Sequence, residues 1–270
     1  MARTGHTAMR SATQHVPILD RSRSRLRLPI EILPEALRQA SGEGLASPVA
    51  TVRLETGGVI TDGQLHPAAE AMLQVIASAS MMVAVDVQRE GDSSITTIWA
   101  TPSRAVVTST LDPDLVDIEP VRLARLPETL SDVILLSRPE TMHERPITVS
   151  TLVMARADEA RSSPDHGRSS LSDAGIAAED VELLVAFQAP TTRRWRISST
   201  WASDGGQRMA ELRGLDAGPH GQWLIEMTGH KNQPGEMTFT PQGDGDILRA
   251  LREVLPRYWV GTALNPRRTG

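Results

Sequence analysis

The sequence predicts an α+β fold: a quasi-twofold body of two antiparallel sheet halves, each a helix–strands–helix unit, with helices covering the sheets. Three observations lead there. The same order of elements occurs twice along the 270 residues. The strand-like segments alternate apolar and polar residues, and short turn signals separate them, as in meandering antiparallel strands. The helices that open and close each unit carry apolar residues at helical spacing.

Taken in order, residues 1–24 are rich in Arg, Ser and Thr, lack periodicity and read as a disordered segment. Leu26, Leu28 and Ile30 alternate with Arg27 and Pro29, and the proline limits this stretch to an edge strand. A short helix over 34–40 starts at Pro34. Residues 50–55 alternate and read as a strand. Gly57–Gly58 and Asp62–Gly63 are turn signals.

The first unit then opens with a helix over 65–78, where Leu65, Ala69, Met72, Leu73 and Ile76 make one apolar face. Strands follow over 81–89, 94–101 and 105–111. Met81, Val83, Val85 and Val87 share one strand face, with Asp86 and Gln88 on the other. Ile95, Thr97 and Trp99 alternate with Thr96 and Ile98. A helix over 127–136 closes the unit. Residues 156–173, rich in Ser with Pro164 and Gly167, read as a mobile linker.

The second unit opens with a helix over 177–187. Strands follow over 192–201, 208–213, 221–228 and 236–240. Trp195, Ile197 and Trp201 fall on one face of the first of these, opposite Arg194, Arg196, Ser198 and Thr200. Trp223 shares a strand face with Ile225 and Met227. A helix over 244–255 ends the unit, its stripe made of Ile247, Leu248, Leu251, Val254 and Leu255. Trp223 and Leu251 are predicted core. The domain reading is one body over 25–260: halves 25–155 and 174–260, the linker between them, and frayed ends at 1–24 and 261–270.

Composition narrows the function. The net charge of −5 argues against a nucleic-acid partner. Arginine supplies nearly all the basic residues, with Lys231 the one lysine, which fits a GC-rich bacterial genome. The chain has no cysteine, which removes disulfides, thiolate zinc sites and cysteine nucleophiles. No secretory h-region and no bilayer-length apolar run occurs, so a cytoplasmic protein with no membrane insertion is expected.

Catalytic signatures are missing. The seven histidines form no metal-ligand pair at helical spacing. No Gly-x-Ser-x-Gly elbow occurs. The glycine pairs precede strands, not helix N-termini, so they read as turns and not as phosphate loops. Gly243–Asp246 holds half of a calcium loop without its distal Glu, and helix capping accounts for it better. No cofactor, no metal and no enzyme activity are expected. A twofold sheet scaffold offers surfaces and a seam, which points to binding.

A family resemblance sharpens this. Gly58-Val59-Ile60-Thr61-Asp62-Gly63-Gln64-Leu65-His66, leading into Met72 and Leu73, is similar to a segment of the EspG family. Trp99-Ala100-Thr101, Ala105-Val106-Val107 and residues 121–130 resemble that family's first sheet and closing helix. Gly218 to Ile225, Met237 to Pro241 and residues 246–256 resemble its C-terminal ending. The resemblance covers roughly 26–256.

It implies a cytosolic chaperone of type VII (ESX) secretion in actinobacteria. Such a protein binds a PE–PPE heterodimer, or a like helical secretion substrate, by an exposed apolar tip, keeps it soluble and targets it to the secretion machine. The predicted partner-binding residues are Glu90, Asp92, Ser94 and Ile98 on the first hairpin, with Arg194 and Arg196 as a charged rim. A homodimer stays open. Two rivals stand beside this reading: a small-molecule-binding or enzymatic α+β domain using the seam, and a degenerate family member that scaffolds the ESX apparatus.

Overall fold

The computed structural model describes residues 15–112, 114–134, 143–159, 163–229 and 235–256. In chain order the elements are β1 (Ile18–Asp20), β2 (Arg25–Pro29), α1 (Leu33–Ala40), α2 (Pro48–Thr56), β3 (Ile60–Thr61), β4 (Gln64–Leu65) and α3 (Pro67–Ala77). Then come β5 (Met81–Arg89), β6 (Asp92–Ala100), β7 (Ala105–Asp112), β8 (Leu115–Val121), α4 (Leu126–Ile134), β9 (Ile147–Ser150), α5 (Thr151–Glu159), α6 (Pro164–Asp173) and α7 (Ala178–Gln188). The chain ends with β10 (Arg193–Ser203), β11 (Gly206–Asp216), β12 (Gln222–Thr228), β13 (Glu236–Gln242) and α8 (Asp244–Glu253). The chain forms two compact units, 1–77 with 110–118 and 78–109 with 119–270.

In the first unit β2 pairs with β1 on one side and β8 on the other, so it is not an edge strand. Pro29 is tolerated because it is the last residue of the strand. The chain before β2 turns back through Ser24, at φ 50°, and adds Ile18–Asp20 as β1. The expected disorder therefore fails for residues 18–20, while residues 1–14 lie outside the described residues. Leu26 and Leu28 are fully buried, and Asp117, buried directly across from Arg27, accepts a hydrogen bond from Arg27 Nε at 2.9 Å and another from Arg25. Two guanidinium groups on one buried carboxylate supply the pairing that its desolvation demands.

Residues 50–55 are helical within α2, not a strand. Ser47 Oγ accepts from the Ala50 N–H at 3.3 Å, and Pro48 begins the helix. Cap and proline together outweigh a six-residue alternation. The β3–β4 hairpin turns at Asp62 and Gly63, both left-handed at φ 52° and 74°, as a two-residue hairpin requires. The opening helix of the first repeat, α3, packs on α1 inside this unit, which is why the compact units do not follow the 25–155 and 174–260 boundaries.

In the second unit the strands run β7-β6-β5-β10-β11-β12-β13-β9, every neighbouring pair antiparallel. The first strand of each repeat, β5 and β10, pair at the middle, with Val85 opposite Ile197. Two copies of one strand paired antiparallel are related by a local twofold, as the repeat implies. The closing helices α4 and α8 pack against each other over one face of these strands. Met81, Val83, Val85, Trp195 and Ile197 bury there against Leu130, Ile134, Ile247 and Leu251.

Among the described residues of this unit, the opposite face is covered towards β9. There Leu215, Trp223, Phe239 and Val149 meet Leu171, Leu184 and Phe187 of α6 and α7. The expected linker 156–173 contains the end of α5 and all of α6. Ser163 caps α6 by accepting from the His166 N–H, Pro164 opens it, and Leu171 is fully buried. The same Ser and Pro that read as linker chemistry serve here as helix-start chemistry.

Candidate functional site

Over β6, β5, β10 and β11 the second unit presents a sheet face that, among the described residues, no helix of that unit covers. Register lays its side chains out in rows. One row runs Trp99, Met82, Thr200, Met209. The next runs Thr97, Ala84, Ser198, Glu211, and the third Ile95, Asp86, Arg196, Arg213. Met209 is 73% exposed, Ile95 56% and Met82 36%. Trp99 is held by its Nε1, which donates to Thr108 Oγ1 at 3.1 Å. Small side chains, Thr97, Ala84 and Ser198, fill most of the middle row, and Glu211 ends it. Exposed apolar residues grouped in this way mark contact surfaces.

The charged row is organised. Arg196 donates to Glu211 from Nε at 2.9 Å, and Arg213 donates to the same carboxylate. Burial tends to raise the Glu211 pKa, but the two guanidinium groups outweigh it and hold the carboxyl below its ordinary value. Asp86 lies directly across from Arg196, yet its buried Oδ1 has no hydrogen-bond partner among the described residues.

Where the face meets α5 and α7 there is a hollow of about 390 Å³, lined by Met154, Ala155, Phe187, Arg194, Met227 and Met237 among others. A second, of about 460 Å³, lies at the β5–β6 turn and takes in Glu90, Asp92, Gln188, Pro190 and Arg194. The turn is Glu90–Gly91, with φ 51° and 87°, and the Glu90 N–H donates to the Pro190 carbonyl at 3.1 Å.

Of the six residues predicted from sequence, the structure thus gathers Glu90, Asp92 and Arg194 around one hollow. Arg194 is not a free rim charge: its Nη2 donates to the Phe187 carbonyl at 2.9 Å and to Gln188 Oε1. It ties β10 to the C-terminal end of α7, where a cation is favoured. Arg196 lies one strand pair along, on the open face. Ser94 shares strand parity with Ile98, away from that face. Ile98 is a correction. It is fully buried opposite Val83 in the α4–α8 core, so it cannot meet a partner. The exposed isoleucine of this strand is Ile95. Sequence reading passed over Met82, Met209 and Ile95. The available signal was apolar residues on a strand face otherwise polar.

A third hollow, about 560 Å³, lies at the start of β9 and α7 and is lined by His143, Glu144, Arg145, Glu179, Asp180, Glu182, Leu183, His220 and Trp223 with Ile147. The His143 ring centroid is 5.3 Å from that of Trp223 and 6.1 Å from that of His220. Burial, and then the neighbouring His220, lower the His143 pKa. Neutral imidazole is therefore favoured in the fold. Stability linked to His143 is fully present above the unfolded pKa of about 6.5 and is lost as pH falls from there through the lower folded value. Between pH 7 and 5.5 the unfolding midpoint should fall, and in His143→Asn the fall should be smaller. Thermal melts at several pH values read this directly, and equal slopes in both proteins would count against it.

Among the described residues no cluster of three or more His, Asp or Glu side chains could hold a metal ion, and no helix is long and apolar enough to cross a membrane. Fold and site define a binding scaffold: a twofold antiparallel sheet with one face packed and the other partly open. A family model, the EspG family, matches residues 22–253, and the chain belongs to that family. It is also similar in fold to the Mycobacterium tuberculosis type VII secretion system chaperone EspG5, solved in complex with a PE25–PPE41 dimer. That match has a TM-score of 0.60 and 12% identity, covering 86% of this chain and 97% of the other. No protein of curated function matches the sequence.

Proposed function

We propose that this protein is a chaperone of type VII secretion that binds a PE–PPE heterodimer on the open sheet face and hands it to the secretion machine. The observation that carries the reading is that face: exposed Met82, Ile95 and Met209 beside a charged row, on a chain of the EspG family. The solved relative holds a PE–PPE dimer. A helical client with an apolar tip aggregates when free, and burial against a preformed sheet removes the exposed surface. The action is stoichiometric binding in the cytoplasm before export, with no chemical step and so no enzyme activity. Glu90, Asp92 and Arg196 form the polar rim, which sets association rate and register more than affinity.

The test is co-expression with PE–PPE heterodimers of the same genome, with complex mass read by light scattering. A stable complex with at least one pair is expected. Met82→Asp and Ile95→Asp should each weaken it more than about tenfold, since central apolar contacts dominate binding. Both side chains are exposed, so the unfolding free energies should stay within about 0.5 kcal/mol of the parent. No complex with any pair, or full binding by both variants, overturns the proposal.

A further inference from the structure

The strand β11 pairs with β10 along all eleven of its residues, and β12 pairs with β13 along all seven of its own. Between β11 and β12, however, the ladder has only three pairs, Asp216–Gln222, Leu215–Trp223 and Gly214–Leu224. Beyond Gly214 the two strands part. Residues 206–213 on one side and 225–228 on the other keep their outer partners and, among the described residues, have no strand between them. The opening is a slot of about 590 Å³ lined by Glu211, Leu212, Arg213, Leu224, Glu226 and Met227 among others.

Hydrogen-bonding parity shows what the slot offers. The hairpin closes at Ser203–Gly206 across a two-residue turn, so even-numbered residues of β11 bond to β10. The odd-numbered ones, Met209, Glu211 and Arg213, turn their main-chain groups to the slot. Met227 does the same from β12. Apart from what the last ladder pair takes, these groups have no main-chain partner among the described residues. A row of unpaired donors and acceptors is a template for another extended chain, and here such rows stand on both sides. Neither bordering segment contains proline or lysine, and the charges they carry are Arg208, Glu211, Arg213 and Glu226.

Side chains give the chemistry of the occupant. On the open face the slot is flanked by exposed Met209 and Met227, and on the other by Leu212 and Leu224. Glu211 is already matched by Arg196 and Arg213. Glu226 is exposed and has no ion pair among the described residues. We infer that the slot between β11 and β12 binds an extended peptide segment of a partner protein, which enters as an added strand with alternating apolar side chains and a basic residue facing Glu226. It is antiparallel to one border and parallel to the other, because the borders run antiparallel. This mode of recognition takes affinity from main-chain bonds and selectivity from alternate side chains. It shares Met209 with the open face proposed for helix docking, but it rests on the unpaired main-chain groups of β11 and β12 and not on that docking.

The test uses the full chain and a panel of capped peptides of alternating Thr and Val, with one Arg moved through every position. Hydrogen exchange at Met209, Glu211, Arg213 and Met227 is the readout. At about ten times Kd, exchange of these amides should slow roughly tenfold for a subset of the panel. Met209→Pro removes only a slot-facing N–H and an exposed side chain, and should abolish that protection. Glu226→Arg should reverse the preference for the Arg-bearing register while leaving the fold intact. Two results overturn the inference: no protection by any peptide at millimolar concentration, or unchanged protection in both variants. Neither result bears on PE–PPE binding, which the Met82 and Ile95 variants read.

Discussion

Trp223→Ala should lower the stability of the second unit by about 3–5 kcal/mol and its thermal midpoint by roughly 10 °C. The indole is fully buried and central to the α5–α7 core. Its ring lies 5.0 Å from Phe187 in an edge-on arrangement, and Phe187 lies 5.1 Å from Phe239. Truncation would leave a cavity that neither neighbouring ring can fill without leaving the other. It would also remove the Nε1 bond to the His220 carbonyl, 3.0 Å long, and leave that acceptor unmatched. Trp223→Phe should recover part of the loss, since it keeps one ring in the cluster and gives up the hydrogen bond and part of the indole volume. Chemical denaturation followed at two wavelengths measures both variants. A Trp223→Ala protein as stable as the parent would show that this cluster does not hold the helices to the sheet.

The strands of the repeat were legible because period-two patterns are local. Met81 to Val87 and Trp195 to Ile197 announce their buried face without help from the rest of the chain. Strand β6 carries apolar residues on both parities, Ile95 and Trp99 against Ile98, so alternation alone cannot choose a face. The choice is made by register. The Glu90–Gly91 turn sets Arg89 opposite Asp92 and so places Ile98 across from buried Val83. Helices α2 and α6 were illegible for another reason. Their starts use Ser with Pro, and the same residues begin loops. What separates the cases is burial of Leu54 and Leu171 by distant parts of the chain, a tertiary effect that overrides local pattern.

The site was read less well than the fold. Glu90, Asp92 and Arg194 were brought to one hollow by the pairing of β5 with β10, which the repeated order of elements did not by itself specify. Arg194 looks like a surface charge in sequence because nothing local says that the end of α7 lies beside it. The exposed methionines carry no signal of their own: Met81 is buried and Met82 is not, and only strand parity tells them apart. The early end of the β11–β12 ladder cannot be seen in the sequence at all, since both strands keep strong patterns past the point where they separate.

The residue at that point supports the last prediction. Gly214→Ala should destabilise the second unit by about 1–3 kcal/mol, although alanine normally improves a strand interior over glycine. A Cβ at Gly214 would lie 2.2 Å from Trp195 Cζ2 and 2.6 Å from its Cε2, inside the space the indole occupies. The backbone cannot yield, because Gly214 is paired to Trp195 on one side and Leu224 on the other. The ring has little room either, being 3% exposed in the core beneath α4 and α8. The conflict is between two specific groups, so it should vanish when one is removed. In a Trp195→Leu background, itself destabilised by lost volume, Gly214→Ala should be neutral or mildly stabilising. The two changes would then show a coupling energy of about 1–3 kcal/mol, within the range for residues in contact. Denaturation of the two single variants and the double variant measures it. Simple additivity would mean that the indole does not rest on Gly214.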